Sequence, residues 1–591
     1  MNIGTAKKVM TMIRRIFDSA VPTEPMTDQR PGKPEFSPRP IGLERGDISG
    51  SGINPRALGD LLLNIRSDST LNVHGLLVLK DGKLVCDARF GMHGNDIHKQ
   101  TFSQCKSVTS IAVGMLVDEG KLSLGEKLVS IFPDETGPLA KLALRDLKIV
   151  DLLTMTSTVT FNEAEAMCEN GWISCFMNSS LKGEIGKTFN YNSLNTYMLA
   201  AAVVRKSGVS LTEYLKPRLF DKLGITDPFW EKSPEGIEKG GWGLYIRPED
   251  MAKIGLMLMN GGVYNGERIL SEEYTEAATK TQIQPPAAVS SNGYGYQIWT
   301  GDDFFLFNGM FGQNLMCYRG TGVTVVSNGG TGELFQSSSF YTKMTEAFAK
   351  KDSYMFEKES AGDAEYLENA LKAIAFRAPE PVFPAETVGR GLIGRLFAGR
   401  RKRTPVDPLL KFDGVTLVTS DRRAASAGLL PMILQATQNT YAKGIKEVGF
   451  KEKNGTLTVI FDESGETREL AVGYYEPADS HLDFSGEKYL VKASGKTAKN
   501  EDGDDVLTID ADFTETPCSR RIKFVFSGDG ATVFMTEKPS ERFIEDSVFN
   551  VKQTFSESAL LRPILGRIDD DFLDFKTERV FAPKFSMTLK K

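Results

Sequence analysis

Apolar and polar residues follow two different periods along this chain, and the period changes in blocks. Residues 73–91 hold two strand-like runs on either side of Asp81-Gly82, a dipeptide typical of a hairpin turn. Short strand-like runs return over residues 294–328. Between them, apolar residues recur at helical spacing in four segments: 104–119, 193–207, 210–222 and 248–260. This order predicts an α+β domain over residues 55–352, with a mostly antiparallel sheet built from both ends of the segment and flanked by helices.

The rest of the chain divides into three further parts. Residues 1–54 are rich in proline, glycine and charge from residue 23 onward and predict an extended N-terminal arm. Residues 353–408 predict a helix and then a proline-rich linker, for which a solvated role is favoured over contact with an anionic surface. Residues 409–591 alternate between apolar and polar positions and predict a mainly antiparallel β domain without a catalytic motif. The linker contains a basic cluster: Arg395, Arg400, Arg401, Lys402 and Arg403.

Composition narrows the class of protein without identifying a partner. A chain of 591 residues is too long for one core. A net charge of -6 over this length is mild and argues neither for nor against nucleic acid, and we expect no nucleic-acid partner. The N-terminal 22 residues are interrupted by lysine and arginine and make a poor signal peptide, and no stretch approaches ~18 consecutive apolar residues. We therefore expect a cytoplasmic protein with no membrane span. The six cysteines are scattered, which favours buried thiols over disulfides or a zinc site.

The segment "TFSQCKSVTSIAVGMLVDEGKL", residues 101–122, holds the first candidate chemistry. Ser103 stands three residues before Lys106 at the start of an amphipathic helix, so both side chains fall on one helix face. A serine hydroxyl needs a base to become nucleophilic, and a lysine at its ordinary pKa of ~10.4 is protonated. Burial and the positive end of a helix both lower that pKa. Taken alone, the pattern still favours an N-cap serine with a surface lysine.

Two other features strengthen the catalytic interpretation. No histidine falls between His98 and the linker, so a serine hydrolase in this domain would use lysine rather than histidine as its base. Tyr191-Asn192-Ser193 stands just before an apolar-periodic helix, and a tyrosine there can carry a proton to or from the serine and the leaving group. The alternative is a core or turn tyrosine ahead of a capped helix.

Residues 70–350 resemble the serine β-lactamase-like hydrolases, which include class C β-lactamases, D-alanyl-D-alanine peptidases, and esterases and amide hydrolases. The resemblance implies that Ser103 is the acyl-accepting nucleophile, Lys106 its general base and Tyr191 the partner acid/base. It implies no metal or organic cofactor. Six segments carry it in order: "FSQCKSVTSIAVGMLVDEGKL", "LLTMTS", "FNYNSLNTYMLAA", "GWGLYIRPEDMAKIGLMLMNGGVYNGERIL", "NGYGYQIW" and "NGMFGQNLMCYRGTGVTVV".

Two departures from the family pattern bear on the substrate. Ser193 stands where the tyrosine motif usually has asparagine, a variant of the esterase and amide-hydrolase branch. Met310 and Phe311 stand where the third motif usually has lysine or histidine before a glycine, so the cation that pairs with a substrate carboxylate is either missing or supplied from elsewhere.

The flanking glycines, Gly309 and Gly312, still fit an edge strand whose backbone N–H faces the site. The N–H of Met310 would join that of Ser103 as an oxyanion hole. Trp242 fits an acyl pocket and core packing about equally well.

These observations predict a serine hydrolase that cleaves a small-molecule ester or amide through an acyl-enzyme. One alternative is a β-lactamase, D-aminopeptidase or D,D-peptidase-type hydrolase. The other is a catalytically silent binding protein of the same fold, in which the β domain does the work. The sequence carries no signal for the oligomeric state.

Overall fold

The structure is a computed structural model that describes residues 8, 27–28, 32–332, 336, 338–383, 405–441, 443–539 and 579–590. The predicted basic cluster, residues 395–403, lies outside the described residues. Residues 32–54 contain no helix or strand. The arm is nonetheless anchored, because Lys33 is 1% exposed and forms an ion pair with Glu515.

The first domain contains twelve strands and a series of helices. Its strands are β1 (Val73–Lys80), β2 (Lys83–Arg89), β3 (Lys99–Gln100), β4 (Phe229–Trp230), β5 (Leu244–Ile246), β6 (Val263–Tyr264), β7 (Glu267–Arg268), β8 (Gly293–Tyr294), β9 (Trp299–Thr300), β10 (Phe304–Gly309), β11 (Gln313–Tyr318) and β12 (Val323–Gly329). The helices up to the end of the second strand block are α1 (Pro55–Ser67), α2 (Cys105–Asp118), α3 (Leu128–Ile131), α4 (Pro138–Ala143), α5 (Ile149–Leu153), α6 (Glu163–Ala166), α7 (Trp172–Met177), α8 (Ser193–Ser207), α9 (Leu211–Leu215), α10 (Pro248–Met259) and α11 (Glu272–Ala278). Two more follow, α12 (Ser339–Phe348) and α13 (Asp363–Ile374).

The central sheet joins the two ends of this domain. Its seven strands run in the order β2-β1-β12-β11-β10-β9-β8 and pair antiparallel. β1 pairs with β12, so that Leu77 lies opposite Val326. Asp81 and Gly82 both have positive φ and form the turn between β1 and β2, which confirms the predicted hairpin. The α+β class and the antiparallel sheet built from both ends are confirmed.

Alternate residues of β1 pack on opposite sides of the sheet. Leu77 and Leu79 join a core with α2 and α8, whereas Leu76 and Val78 join a second core with α1 and α12. The sheet is therefore covered on both faces, and the helix that follows Ser103 lies within the larger core. A separate small sheet, β3-β5-β4, leads the chain into that helix.

Three of the four predicted helices are single α-helices, and one is not. The segment predicted as helical over residues 210–222 is α9 followed by a π-helical turn, Lys216–Phe220. Pro217 has no backbone N–H and cannot continue the α-helical ladder, which explains the change of geometry. Among the helices of the described residues, none combines the length and the apolarity that crossing a membrane would need.

The C-terminal domain is a ten-stranded antiparallel sheet, as predicted. Its strands lie in the order β16-β15-β14-β13-β22-β21-β20-β19-β18-β17. A pairing of Gly473 with Ser494 brings the β16 edge close to β18, so the sheet curls around an apolar core. The elements are β13 (Thr416–Val418), α14 (Met432–Gln438), β14 (Glu447–Lys453), β15 (Thr456–Glu463), β16 (Glu466–Val472), β17 (Ala478–Phe484), β18 (Glu487–Lys499), β19 (Asp505–Phe513), β20 (Ser519–Ser527), β21 (Gly530–Lys538) and β22 (Lys584–Leu589).

Candidate active site

Ser103 lies in a tight turn between a strand and a helix. β3 ends at Gln100, and the 3-10 turn Phe102–Gln104 runs directly into α2. Phe102 has φ 47°, a conformation that a bulky residue adopts only when the surrounding structure holds it. The turn leaves Ser103 half-buried at the N-terminal edge of α2, with Lys106 in the first turn of the same helix.

The Lys106 amine is enclosed by three oxygen atoms. Its Nζ lies 2.7 Å from Ser103 Oγ, 2.9 Å from Ser193 Oγ and 2.7 Å from the carbonyl oxygen of Gly241. Lys106 is 1% exposed, and this burial lowers its pKa to about 8. An amine with that pKa is partly neutral near pH 7 and can accept a proton, so Lys106 is not the surface lysine of the alternative interpretation.

Tyr191 completes the cluster, next to both Lys106 and Ser103. Its ring stacks on Trp299 at a centroid distance of 5.8 Å, and the Lys106 Nζ lies 5.1 Å from the Tyr191 ring centroid. Burial raises the pKa of Tyr191 above its ordinary value, and a hydrogen bond with Ser103 opposes that effect. Tyr191 is therefore a neutral phenol at ordinary pH, in contact with the serine hydroxyl.

Ser193 joins the cluster through its position at the start of α8. Asn192 caps this helix, since its side chain accepts a hydrogen bond from the Leu194 N–H at 2.9 Å. The Ser193 N–H donates to the Glu163 carboxylate at 2.8 Å, and its hydroxyl faces Lys106. The start of α8 thus places the Ser193 hydroxyl beside the first turn of α2.

The third-motif strand presses on the turn that carries Ser103. A Cβ added to Gly309 would lie 2.2 Å from the Thr101 carbonyl oxygen and 3.1 Å from the Gln104 nitrogen. Only glycine allows this approach, which brings the end of β10 against the backbone on both sides of Ser103. The sequence predicted an edge strand here, whereas β9 pairs with β10 in the structure. That pairing involves only Phe305 and Leu306, so it does not extend to Gly309.

Met310, Phe311 and Gly312 form the turn that follows β10. Phe311 has φ 68° and Gly312 has φ 86°, and the Phe311 ring meets the Phe102 ring edge-on at 5.1 Å. Met310 is half-buried, whereas Phe311 is fully buried. The turn offers no cation at the two positions where the resemblance would place one.

Trp242 lies beside the cluster rather than within it. It follows Gly241, whose carbonyl contacts Lys106, and its ring stacks on Trp172 at 5.5 Å. Its own carbonyl accepts a hydrogen bond from Trp230 Nε1 at 2.9 Å. Trp242 therefore packs in an aromatic cluster while remaining half-buried next to the site.

The sequence did not identify two residues that shape the site. Gly241 supplies a carbonyl to Lys106, and an added Cβ would lie 2.7 Å from the Ser193 carbonyl oxygen, so the loop needs glycine to approach α8. The consecutive glycines Gly240-Gly241 were the available signal. Glu163 gave no signal in the sequence, because it lies in the first turn of the short helix α6, where acidic residues are common.

Part of this chain is similar to proteins that are already known. Residues 71–337 match the Beta-lactamase family model. The chain is 26% identical over 271 residues to a 6-aminohexanoate-dimer hydrolase of Paenarthrobacter ureafaciens, covering 40% of this chain and 68% of the relative.

Two solved structures are also similar. The penicillin-binding protein of Bacillus halodurans is 20% identical with a TM-score of 0.38, covering 53% of this chain and 98% of that chain. The octameric penicillin-binding protein homologue of Pyrococcus abyssi is 15% identical with a TM-score of 0.39. The match covers 80% of this chain and 98% of the homologue. The family-model match makes residues 71–337 a β-lactamase-like domain, which is followed in this chain by a C-terminal antiparallel domain.

Proposed function

We propose that this protein is a serine hydrolase that cleaves an amide or ester bond through an acyl-enzyme on Ser103. The observation that carries the proposal is the 2.7 Å contact between the Ser103 hydroxyl and a buried lysine amine whose pKa is lowered to about 8. A serine beside a base of this kind is activated for attack on a carbonyl carbon. The name of the Paenarthrobacter relative, a hydrolase, supports the same class of reaction.

The proposed reaction has two halves. Ser103 Oγ attacks the substrate carbonyl carbon while its proton passes to the neutral Lys106 amine. The proton then moves through the Tyr191 hydroxyl to the leaving amine or alcohol as the scissile bond breaks. In the second half, water takes the place of the leaving group, its proton follows the reverse route, and the acid product leaves Ser103 free.

Backbone N–H groups at Ser103 and Met310 would stabilise the oxyanion that forms in each half. Gly309 packs against the turn that carries Ser103, so the residue after it emerges beside the nucleophile. Preorganised donors of this kind each lower the barrier by about 2.7–4 kcal/mol in known cases.

The substrate proposed is a linear amide or ester without a carboxylate next to the scissile bond. Met310 and Phe311 provide no positive charge. Burial sets the direction of the pKa shifts of Lys106 and Tyr191, and the nearby Glu163 carboxylate adds a smaller negative influence on both groups. A substrate carboxylate placed there would be desolvated without a charged partner. The Paenarthrobacter relative is named as a hydrolase of the 6-aminohexanoate dimer. β-Lactams and D-Ala-D-Ala peptides are the less favoured alternative.

The test has a labelling step and a turnover step. A fluorophosphonate should add its mass to the wild-type protein and not to Ser103→Ala. Ser107→Ala is the matched control, because Ser107 lies on the same helix but its hydroxyl donates to the Gln297 carbonyl at 2.7 Å. An adduct on Ser103→Ala, or none on wild type, would contradict the proposal and favour a silent binding protein.

The turnover step compares kcat/KM for a neutral nitrophenyl ester, a linear nitroanilide and a chromogenic cephalosporin on one preparation. We expect the neutral substrates to be cleaved with much higher kcat/KM than the cephalosporin. The opposite order would show that another cation serves as the carboxylate anchor. The cytoplasmic location and the lack of a nucleic-acid partner stay predictions from composition.

A further inference from the structure

The C-terminal domain contacts the strand that leads to Ser103. The loop between β19 and β20 places the Glu515 carbonyl 2.7 Å from the Gln100 N–H, and the Thr514 carbonyl 2.6 Å from Lys99 Nζ. Glu515 and Lys99 are almost fully buried. The last strand before the nucleophile is therefore bonded on one side by a loop that comes from about 400 residues later in the sequence (515 against 100).

A second contact comes from the end of α14. Gln438 Nε2 donates to Glu231 Oε1 at 2.7 Å and to the Tyr245 hydroxyl at 3.1 Å. Gln438 is 1% exposed and Glu231 is 6% exposed, so solvent does not replace this contact easily. Gln100 Nε2 lies 3.4 Å from the same Glu231 oxygen. Glu231 therefore links the C-terminal domain to the nucleophile strand.

From Glu231 the contacts continue to the base. Its other oxygen forms an ion pair with Lys239 Nζ at 2.7 Å, and the Lys239 N–H donates to the Glu231 carbonyl at 2.9 Å. The Lys239 carbonyl accepts a hydrogen bond from the Gly241 N–H at 2.6 Å, and the Gly241 carbonyl faces Lys106. Four consecutive contacts thus connect Gln438 to the amine of Lys106.

We infer that Glu231 is a positioning residue that Gln438 of the C-terminal domain holds in place, and that this link fixes the Gly241 carbonyl against Lys106. The inference rests on the proposed hydrolase function. It gives the C-terminal domain a role in the reaction of the first domain, because one of the three oxygens around the Lys106 amine is held through a contact that the first domain cannot make alone.

The physical reason lies in the burial of the Glu231 carboxylate. A Glu231 oxygen that loses its 2.7 Å donor keeps only the longer 3.4 Å contact from Gln100, and the carboxylate shifts toward its remaining partners or toward water. Lys239 and the glycines after it move with it, because an added Cβ at Gly243 would already lie 2.8 Å from the Glu231 side chain. A small displacement of the Gly241 carbonyl changes the hydrogen bonding of Lys106 without touching Ser103.

The test replaces one glutamine at a time on the same helix. Gln438→Met removes the donor to Glu231 and keeps the length of the side chain. Gln435→Met is the matched control, because Gln435 is equally buried on α14 and donates to the Leu430 carbonyl at 2.8 Å within the C-terminal domain. Gln438→Glu, which has nearly the same shape, places a carboxylate against Glu231 and serves if Gln438→Met does not fold.

We expect Gln438→Met to slow acylation by a nitrophenyl ester about tenfold, the worth of one buried hydrogen bond, with KM little changed. The acid limb of its pH–rate profile should move to lower pH, because Lys106 loses an acceptor that favours its charged form. Gln435→Met should keep the wild-type acylation rate and the wild-type acid limb of the pH–rate profile. Its loss of thermal stability should be similar to that of Gln438→Met.

Equal kinetics for the two variants would overturn the inference while leaving the proposed function intact. Failure of the proposed function is a separate result, because wild-type protein would then form no Ser103-dependent adduct. If Gln438→Glu acylates at the wild-type rate with an unshifted limb, the link from Gln438 to Lys106 does not exist.

Discussion

Replacing Gly309 by alanine should impair acylation through a steric effect that can be sized from the structure. The new Cβ would lie 2.2 Å from the Thr101 carbonyl oxygen, whereas real Cβ contacts are almost never closer than 3.0 Å. The end of β10 and the turn that carries Ser103 must therefore separate by about 0.8 Å. A misplacement on the order of 1 Å costs about 100-fold in rate, equivalent to about 2.7 kcal/mol of barrier.

The assay is the rate of acylation by a nitrophenyl ester, measured with fluorophosphonate labelling of the same samples. Gly449→Ala is the matched control, because the nearest atom to its added Cβ is 3.8 Å away and it lies in β14 of the other domain. We expect kcat/KM to fall about 100-fold for Gly309→Ala and to stay near wild type for the control. Undiminished kcat/KM in Gly309→Ala would refute the idea that the β10 approach sets the geometry around Ser103.

Three further predictions concern the base, the phenol and the second core. Because burial lowers the pKa of Lys106 to about 8 and only the neutral amine accepts a proton, kcat/KM for a neutral ester should rise about tenfold per pH unit up to about pH 8 and then level off. A profile that is flat from pH 5.5 to 9 would exclude Lys106 as the base. Tyr191→Phe keeps the stack on Trp299 but removes the hydroxyl, so turnover should fall by about 10²–10⁴ with little change in melting temperature; wild-type turnover would exclude its role in proton transfer. Glu537→Gln leaves the buried Arg520 without its charged partner at 2.7 Å. In denaturant titrations this change should lower the free energy of unfolding of the C-terminal domain by about 3–5 kcal/mol. Asp510→Asn, which breaks the more exposed ion pair with Arg521, should cause no such loss.

Local patterns in the sequence predicted the parts of the fold that depend on neighbouring residues. The Asp81-Gly82 hairpin and the helix Ser193–Ser207 follow from turn chemistry and apolar spacing, and the structure has both. The helix predicted over residues 210–222 failed at Pro217, where a local backbone constraint outweighed the periodicity.

Contacts between distant segments were not accessible to the same reasoning. Ser103, Lys106 and Tyr191 could be proposed together because they lie in recognisable motifs, and the structure places them in contact. Gln438 and Glu231 are 207 residues apart, and each in isolation is an ordinary polar residue of a buried segment. A glycine carbonyl such as that of Gly241 has no side-chain chemistry to reveal it, so only the fold identifies it.

The pairing of β1 with β12 dictates the order in which the molecule can be assembled during synthesis. β1 and β2 leave the ribosome early, but an isolated two-stranded hairpin is marginal in water, and its partner strand, Val323–Gly329, is made about 250 residues later (323 against 73). The ion pair between Lys33 and Glu515 spans 482 residues, so it cannot form until Glu515 has been synthesised. Long-range pairings of this kind fold slowly and leave strand edges open in the nascent chain, where they can pair wrongly. The nucleophile strand gains its last backbone partner, Glu515, only at that late stage. From the synthesis of Met310 until then, about 200 residues (515 against 310), the growing chain carries a chemically complete but geometrically unfinished site.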